Sequence, residues 1–222
     1  YIRHLSPEAG RVIEAYDFDP KIERMDRDDI LYGVMADFAD LDLRTSVVSN
    51  EAMGYIFEEL LRKFSEMSNE TAGEHYTPRE VISLMVQLLL TGRTHTELME
   101  TPRPVRTVYD PAAGTGGMLV GAMDGVQELN GNALVTVSGQ ELNDETWAIA
   151  QSDLMMLGIG PERMARGNSL TQDAFPTEQF DFMLANPPYG VDWKKYAGPI
   201  KDEAENLGYS GRFGAGTPRI SD

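Results

Sequence analysis

Near the C-terminal end of the chain, Asn186-Pro187-Pro188-Tyr189 puts three chemically useful groups within one turn: an amide side chain, a carbonyl followed by a nitrogen without hydrogen, and an aromatic ring. A base taken out of its stack needs that set, with acceptors for an exocyclic amino group and a face to stack on. Asn-Pro followed by a second proline is also a strong turn signal in its own right, so its surroundings decide its meaning. Gly114, Gly116 and Gly117 follow Asp110-Pro111 closely. Glycine lets the backbone approach a ligand where a Cβ would collide. Taken alone, a tight turn between strand and helix explains them. Glu141 closes the next β-prone run, and a carboxylate with two acceptor oxygens can hold both hydroxyls of a ribose.

The elements needed to position these residues are legible. Thr107-Val108-Tyr109 is a β-prone run that stops at Asp110-Pro111, because proline forbids further ladder pairing. A helix-compatible apolar segment, Met118 to Met123, follows the glycines. Leu134 to Val137 forms a second strand ending on Gly139-Gln140-Glu141, and Asn143 can cap a helix running to about Leu157. Met164 to Asn168 reads as a short third strand. Phe180 to Ala185 reads as a fourth, apolar enough to be central. Strands alternating with helices at this spacing predict a parallel sheet with its ligand at the strands' carboxyl ends.

Residues 1 to about 72 read as helices. Ser6-Pro7 and Asp19-Pro20 are N-cap and first-turn proline signals. Asp29 to Leu43 carries apolar residues at mixed helical spacing. Met53, Ile56, Phe57, Leu60, Leu61 and Phe64 give one broad apolar face, expected in a core. Ser68 to Gly73 marks a loop and domain border. Thr77 with Glu80 forms a capping box, and Pro78 suits the first position of a helix through Val81, Ile82, Met85, Val86 and Leu89. Thr91 to Pro104 reads as polar linker. Pro187 to Asp222, rich in glycine, reads as a long active-site loop.

Composition sets the bounds. At 222 residues the chain holds one sizeable domain and an accessory piece, and its first and last residues read as those of a piece of a longer protein. It has no cysteine, and its three histidines are scattered, so neither disulfides nor a metal site is expected. With no signal-peptide pattern and no apolar run of membrane length, a cytoplasmic protein is expected. A net charge of −17 argues against this chain holding a long polyanion unaided, because non-specific affinity for nucleic acid rests on Lys and Arg at phosphates.

Together these residues carry a resemblance. Asn186-Pro187-Pro188-Tyr189 resembles the catalytic motif of amino-group DNA methyltransferases, and Asp110 to Gly117 resembles their S-adenosylmethionine loop. Gly73 to Arg79, Gly139-Gln140-Glu141, Gly167 to Leu170, Gly190 to Trp193 and Pro218 to Asp222 are similar to the modification subunit of type I restriction-modification systems. The likeness runs in order from about Met53 to the last residue.

The resemblance implies an α/β, Rossmann-like S-adenosylmethionine-dependent methyltransferase sheet, incomplete at its C-terminal end. It would occupy residues 73–222, after the C-terminal part of a helical N-terminal domain at 1–72. It implies an adenine-N6 enzyme in which Glu74, His75, Tyr76, Thr77, Pro78 and Arg79 lie over the cofactor's methionine end. Asp110, Gly114, Thr115, Gly116 and Gly117 would form its loop, with Glu141 on the ribose and Asn168 on the adenine amino group. Asn186 and the Pro187 carbonyl would accept from the target N6, with Pro188 holding the turn and Tyr189 stacking on the base. Two acceptors on that amino group localise its lone pair for in-line attack on the sulfonium methyl. They strengthen as positive charge develops on nitrogen, which favours the transition state. The implied partners are double-stranded DNA, a DNA specificity subunit shared by two modification subunits, and a restriction/translocase subunit. Two rivals stand beside this: a catalytically incompetent fragment with a partner-binding role, and a nicotinamide-binding Rossmann protein, for which Asn-Pro-Pro-Tyr has no use.

Overall fold

The computed structural model describes residues 6–49, 52, 53, 56, 59, 60, 63, 77–188 and 193–217. At its centre is a four-stranded sheet in the order β3-β2-β1-β4, formed by β1 (Val105–Asp110), β2 (Leu134–Glu141), β3 (Met164–Arg166) and β4 (Phe182–Met183). All pairings are parallel, and β1 and β2 run in register from Val105 opposite Leu134 to Asp110 opposite Gly139. The expected parallel α/β sheet is therefore present. The chain steps outward from β1 to β2 to β3, then crosses back to place β4 on the other flank of β1. That reversal opens a crevice at the carboxyl ends of β1 and β4.

Helix α6 (Gly117–Leu129) follows β1, and α7 (Asp144–Met156) follows β2. The core forms where they cover the sheet, with Val108, Leu119, Val126, Val137 and Leu154 all sealed from solvent. Gly139 makes this close approach possible. A Cβ there would lie 2.8 Å from both Leu119 Cδ1 and Met164 Sδ. A second glycine feature acts one layer out, where α4 (Arg79–Leu89) packs on α6. Gly117, Gly121 and Gly125 recur every four residues and so share one face of α6. A Cβ on Gly121 would lie 2.6 Å from Ile82 Cγ2, and one on Gly125 2.5 Å from Val86 Cγ1. The β-branched side chains of α4 fill the space that those glycines leave.

β4 is much shorter than the expected strand, and it stands at an edge among the described residues. Its ladder is extended by a side chain. Asp181 Oδ2 accepts from the Thr107 amide and hydroxyl at 2.8 and 3.0 Å, and the Thr107 hydroxyl accepts from Asp181 N–H at 2.9 Å. Those bonds replace backbone pairing where β4 would otherwise begin.

Other expectations need correction. The segment expected as polar linker contains α5 (Gly92–Glu100), anchored by the fully buried Leu98. Asn130 locks its end by donating to the Leu98 and Thr101 carbonyls. The expected C-terminal loop contains α8 (Ala197–Leu207), held by the fully buried Ile200. No capping box forms at Thr77: α4 takes Pro78 as its N-cap residue, without a side-chain cap bond.

At the N-terminus, α1 (Pro7–Ala15) starts as expected, with Ser6 Oγ accepting from Ala9 N–H at 3.2 Å. α2 (Phe18–Arg27) begins two residues before the expected Pro20 boundary, and α3 (Leu31–Ala39) follows. α1 packs on α7 through Val12, and Tyr16 and Ser152 share a hydroxyl hydrogen bond at 3.4 Å. Of the apolar stripe expected in the core, Ile56 and Leu60 are exposed, while Phe57, Leu61 and Phe64 lie outside the described residues. The Ser68 to Gly73 border also lies outside them.

Candidate active site

The strand ends bring Asp110, the glycine turn, Glu141, Asn168 and Asn186 to one edge of the sheet. Asp110 ends β1, fully buried. Its Oδ1 accepts from Ala112 N–H at 3.0 Å, while Oδ2 is a buried acceptor without a partner among the described residues. Burial pushes this carboxyl up to about 7, only partly opposed by the Ala112 N–H, with the nearby Glu141 charge adding to the rise. The turn that follows is fixed to β2 by Ala113 N–H donating to the Gln140 carbonyl at 3.0 Å. Gly114 and Gly116 have φ of +55° and +85°, in the left-handed region where a side chain is strained. Gly116 is the N-cap residue of α6. The amides at the start of that helix therefore converge on the turn, a geometry suited to an anionic group.

Glu141, at the end of β2, spans two of these segments. Its Oε2 accepts from Gly114 N–H at 2.9 Å and its Oε1 from Asn143 N–H at 2.7 Å. Each oxygen retains a lone pair. Asn143 caps α7 as expected, accepting from Thr146 N–H at 2.9 Å. The backbone carbonyl of Glu141 accepts from Gly167 N–H at 2.8 Å, which brings the loop after β3 alongside. There Asn168 Oδ1 accepts from Leu170 N–H at 2.9 Å and shapes the loop locally.

Asn186 lies three residues beyond β4, half-buried, on the other side of β1. Its Nδ2 donates to Thr77 Oγ1 at 3.1 Å. Pro187 and Pro188 are exposed. The edge thus presents a glycine turn, a carboxylate braced against it, and an amide anchored to Thr77 just ahead of α4. That set can hold a ribose-bearing ligand and, beside it, accept hydrogens from an amino group.

The structure brings Gly114 and Glu141 together directly, and Asn186 meets Thr77. Thr115 and Gly117 continue the same turn, and Pro78 and Arg79 open α4. Glu74, His75, Tyr76 and Tyr189 lie outside the described residues. Sequence reasoning missed Gln140. This buried side chain on β2 donates from Nε2 to the Gln172 carbonyl at 2.8 Å and holds the loop after β3. It also missed Arg212, which bonds Glu203 and the Ser169 carbonyl and so ties the C-terminal segment to that loop. No local signal marks either residue, since each acts on a loop distant in sequence. Among the described residues no cluster of acids and histidines is placed to hold a metal ion, and no helix is long and apolar enough to cross a membrane.

Comparison with known proteins bears on this edge. The model of the N-6 DNA methylase family matches residues 48–212. The HindI type I restriction enzyme methylase subunit of Haemophilus influenzae is 27% identical over 204 residues, 86% of this chain and 41% of its own length. The MjaIX type I methylase subunit of Methanocaldococcus jannaschii is 27% identical over 205 residues, 83% of this chain and 34% of its own length. The chain thus spans well under half of either relative. Among solved structures, the methyltransferase subunit of a type I restriction-modification system from Streptococcus thermophilus superposes with a TM-score of 0.60 at 28% identity, covering 81% of this chain and 36% of that one. A class I S-adenosylmethionine-dependent methyltransferase from Listeria monocytogenes shares the fold at a TM-score of 0.56 and 16% identity, over 84% of this chain and 54% of that one.

Proposed function

Because the chain belongs to the N-6 DNA methylase family, we propose that the protein methylates the N6 amino group of an adenine turned out of duplex DNA, as the modification subunit of a type I restriction-modification assembly. The observation that carries this reading is the position of Asn186. Its amide is anchored through Nδ2 at the β1–β4 crevice, and its Oδ1 has no hydrogen-bond partner among the described residues.

The residues fit S-adenosylmethionine. Glu141 keeps a lone pair on each oxygen, as two ribose hydroxyls require, and Asp110 Oδ2 is a buried acceptor without a donor among the described residues. When bound, the cofactor supplies an electrophilic methyl group on a sulfonium. Gly114, Thr115, Gly116 and Gly117 would hold its methionine part and Asn168 its adenine, with residues 74 to 79 lying over it. Asn186 Oδ1 and the Pro187 carbonyl would accept the two hydrogens of the target amino group, and Tyr189 would stack on the base. Both acceptors bind more strongly as the nitrogen becomes positive, so they lower the barrier rather than only the ground state.

In this reading residues 1–72 belong to a helical domain that helps to clamp DNA, and 73–222 to the catalytic domain. Two such subunits would join one DNA specificity subunit, with a restriction/translocase subunit as a further partner. The net charge of −17 supports leaving sequence recognition to a partner. Asn186→Ala in the full-length protein is the test. Methyl transfer to adenine should fall roughly 10²–10³-fold, with cofactor affinity by calorimetry unchanged. A variant that methylates at the wild-type rate reduces Asn186 to a turn former.

A further inference from the structure

Thr77 precedes α4, and the glycine face of α6 lets that helix sit close enough to bring Thr77 to the β1–β4 crevice. There its hydroxyl meets the amide of a residue 109 positions away in sequence. Pro78, not Thr77, takes the N-cap position of α4, and the Thr77 hydroxyl meets the Asn186 amide instead. Both partners are half-buried, so water competes for the bond only in part.

We propose that Thr77 is a positioning residue for Asn186, holding the amide so that Oδ1 faces the target amino group. The inference rests on the reading that Asn186 accepts from that group. The torsion that sets an asparagine amide plane is broad and roughly two-fold, so the backbone alone does not choose which end faces the crevice. In the structure Nδ2 donates to Thr77 Oγ1, which fixes the amide plane with its donor end at Thr77 and its acceptor end outward. The bond also polarises the amide. Donation from nitrogen shifts electron density onto Oδ1, which strengthens it as an acceptor. Thr77 thereby acts on the reaction through Asn186, a role in addition to its place in the segment over the cofactor.

The experiment uses the full-length protein purified with the partners that accompany it. Single-turnover methyl transfer to adenine-containing duplex and S-adenosylmethionine affinity are measured for Thr77→Val, Thr77→Ser, Asn186→Ala and the Thr77→Val/Asn186→Ala pair. Thr77→Val should slow transfer roughly 10- to 100-fold, the scale for a misplaced reacting partner, with any loss of cofactor affinity much smaller than the loss of rate. Thr77→Ser keeps the hydroxyl and should restore most of the rate. In the Asn186→Ala background Thr77→Val should cost nothing further, because a residue that acts through another has no effect once that other is gone. Thr77→Ala repeats the deletion without the branched side chain, and melting temperatures taken in parallel identify any loss that comes from unfolding. Loss of cofactor affinity in step with rate, a serine variant as slow as valine, or a full cost persisting in the Asn186→Ala background would each overturn the inference. If Asn186→Ala itself transfers methyl at the wild-type rate, the reading of the site fails first, and this inference goes with it.

Discussion

Asp110→Asn isolates one consequence of burying an acid at the head of the glycine turn. In the unfolded chain this carboxyl ionises near its ordinary 3.8, and in the folded chain only near 7, chiefly because burial disfavours the charge. The folded state therefore holds the proton more tightly. Its extra stability is fully present below pH 3.8 and is lost as pH rises through 7. At about 1.4 kcal/mol per pH unit, the loss between pH 5 and pH 8 comes to about 2–3 kcal/mol. Asparagine keeps an acceptor for Ala112 N–H but does not titrate, so the variant should lack this decline. Urea unfolding of both proteins at half-unit steps from pH 5 to 8 is the assay, read as the difference between the two curves. That difference cancels every other titrating group. Curves that stay parallel across the window would mean that Asp110 ionises like an exposed carboxyl, and would refute the argument from burial.

Glu141→Ala removes the brace on Gly114 and the acceptors proposed for the ribose, so S-adenosylmethionine should bind about 1–3 kcal/mol more weakly by calorimetry; unchanged affinity takes Glu141 out of the site. Gly125→Val drives a side chain into Val86 and should lower stability by about 1–3 kcal/mol in denaturant titration. Combined with Val86→Ala it should cost less than the sum of the two single changes; strict additivity would mean that the two helices are not in tight contact there. The full-length protein without its proposed partners should methylate specific DNA poorly, because the −17 charge of these 222 residues gives little hold on phosphates. Robust site-specific methylation by the purified subunit alone contradicts that expectation.

The sheet and the turn were legible because their signals are local. Asp110-Pro111 ends β1, the glycines start α6, and Asn143 caps α7, each within a few residues of the feature it causes. The two helices that escaped have weak patterns of their own. α5 has one fully buried apolar residue, Leu98, so no periodic face stands out. α8 was hidden by its glycines, read as loop formers. Gly198 sits in its first turn, and Gly208, with φ of +50°, is its C-cap, so two of them bound the helix. The partnership of Thr77 with Asn186 was out of reach for a related reason. The local pattern assigned the threonine to a cap, and only the packing of α4 on α6 brings it to a strand end 109 residues later.

The brevity of β4 has a consequence for the order in which this molecule assembles. β1, α6, β2, α7 and β3 follow one another in the chain and pair with their sequence neighbours, so short loops close their contacts at low entropic cost. β4 must instead return across about 74 residues to reach β1, and it arrives with two paired residues, the Asp181–Thr107 clasp, the Leu184 N–H bond to the Tyr109 carbonyl and the stacking of Phe180 on Tyr109 to hold it. Contacts of such high contact order form late and open early. Hydrogen exchange should accordingly find the amides of 182–184 exchanging before those of β1 and β2. The half of the crevice that carries Asn186 would then fold after the β1–β2–β3 half, completed on a sheet that is already standing.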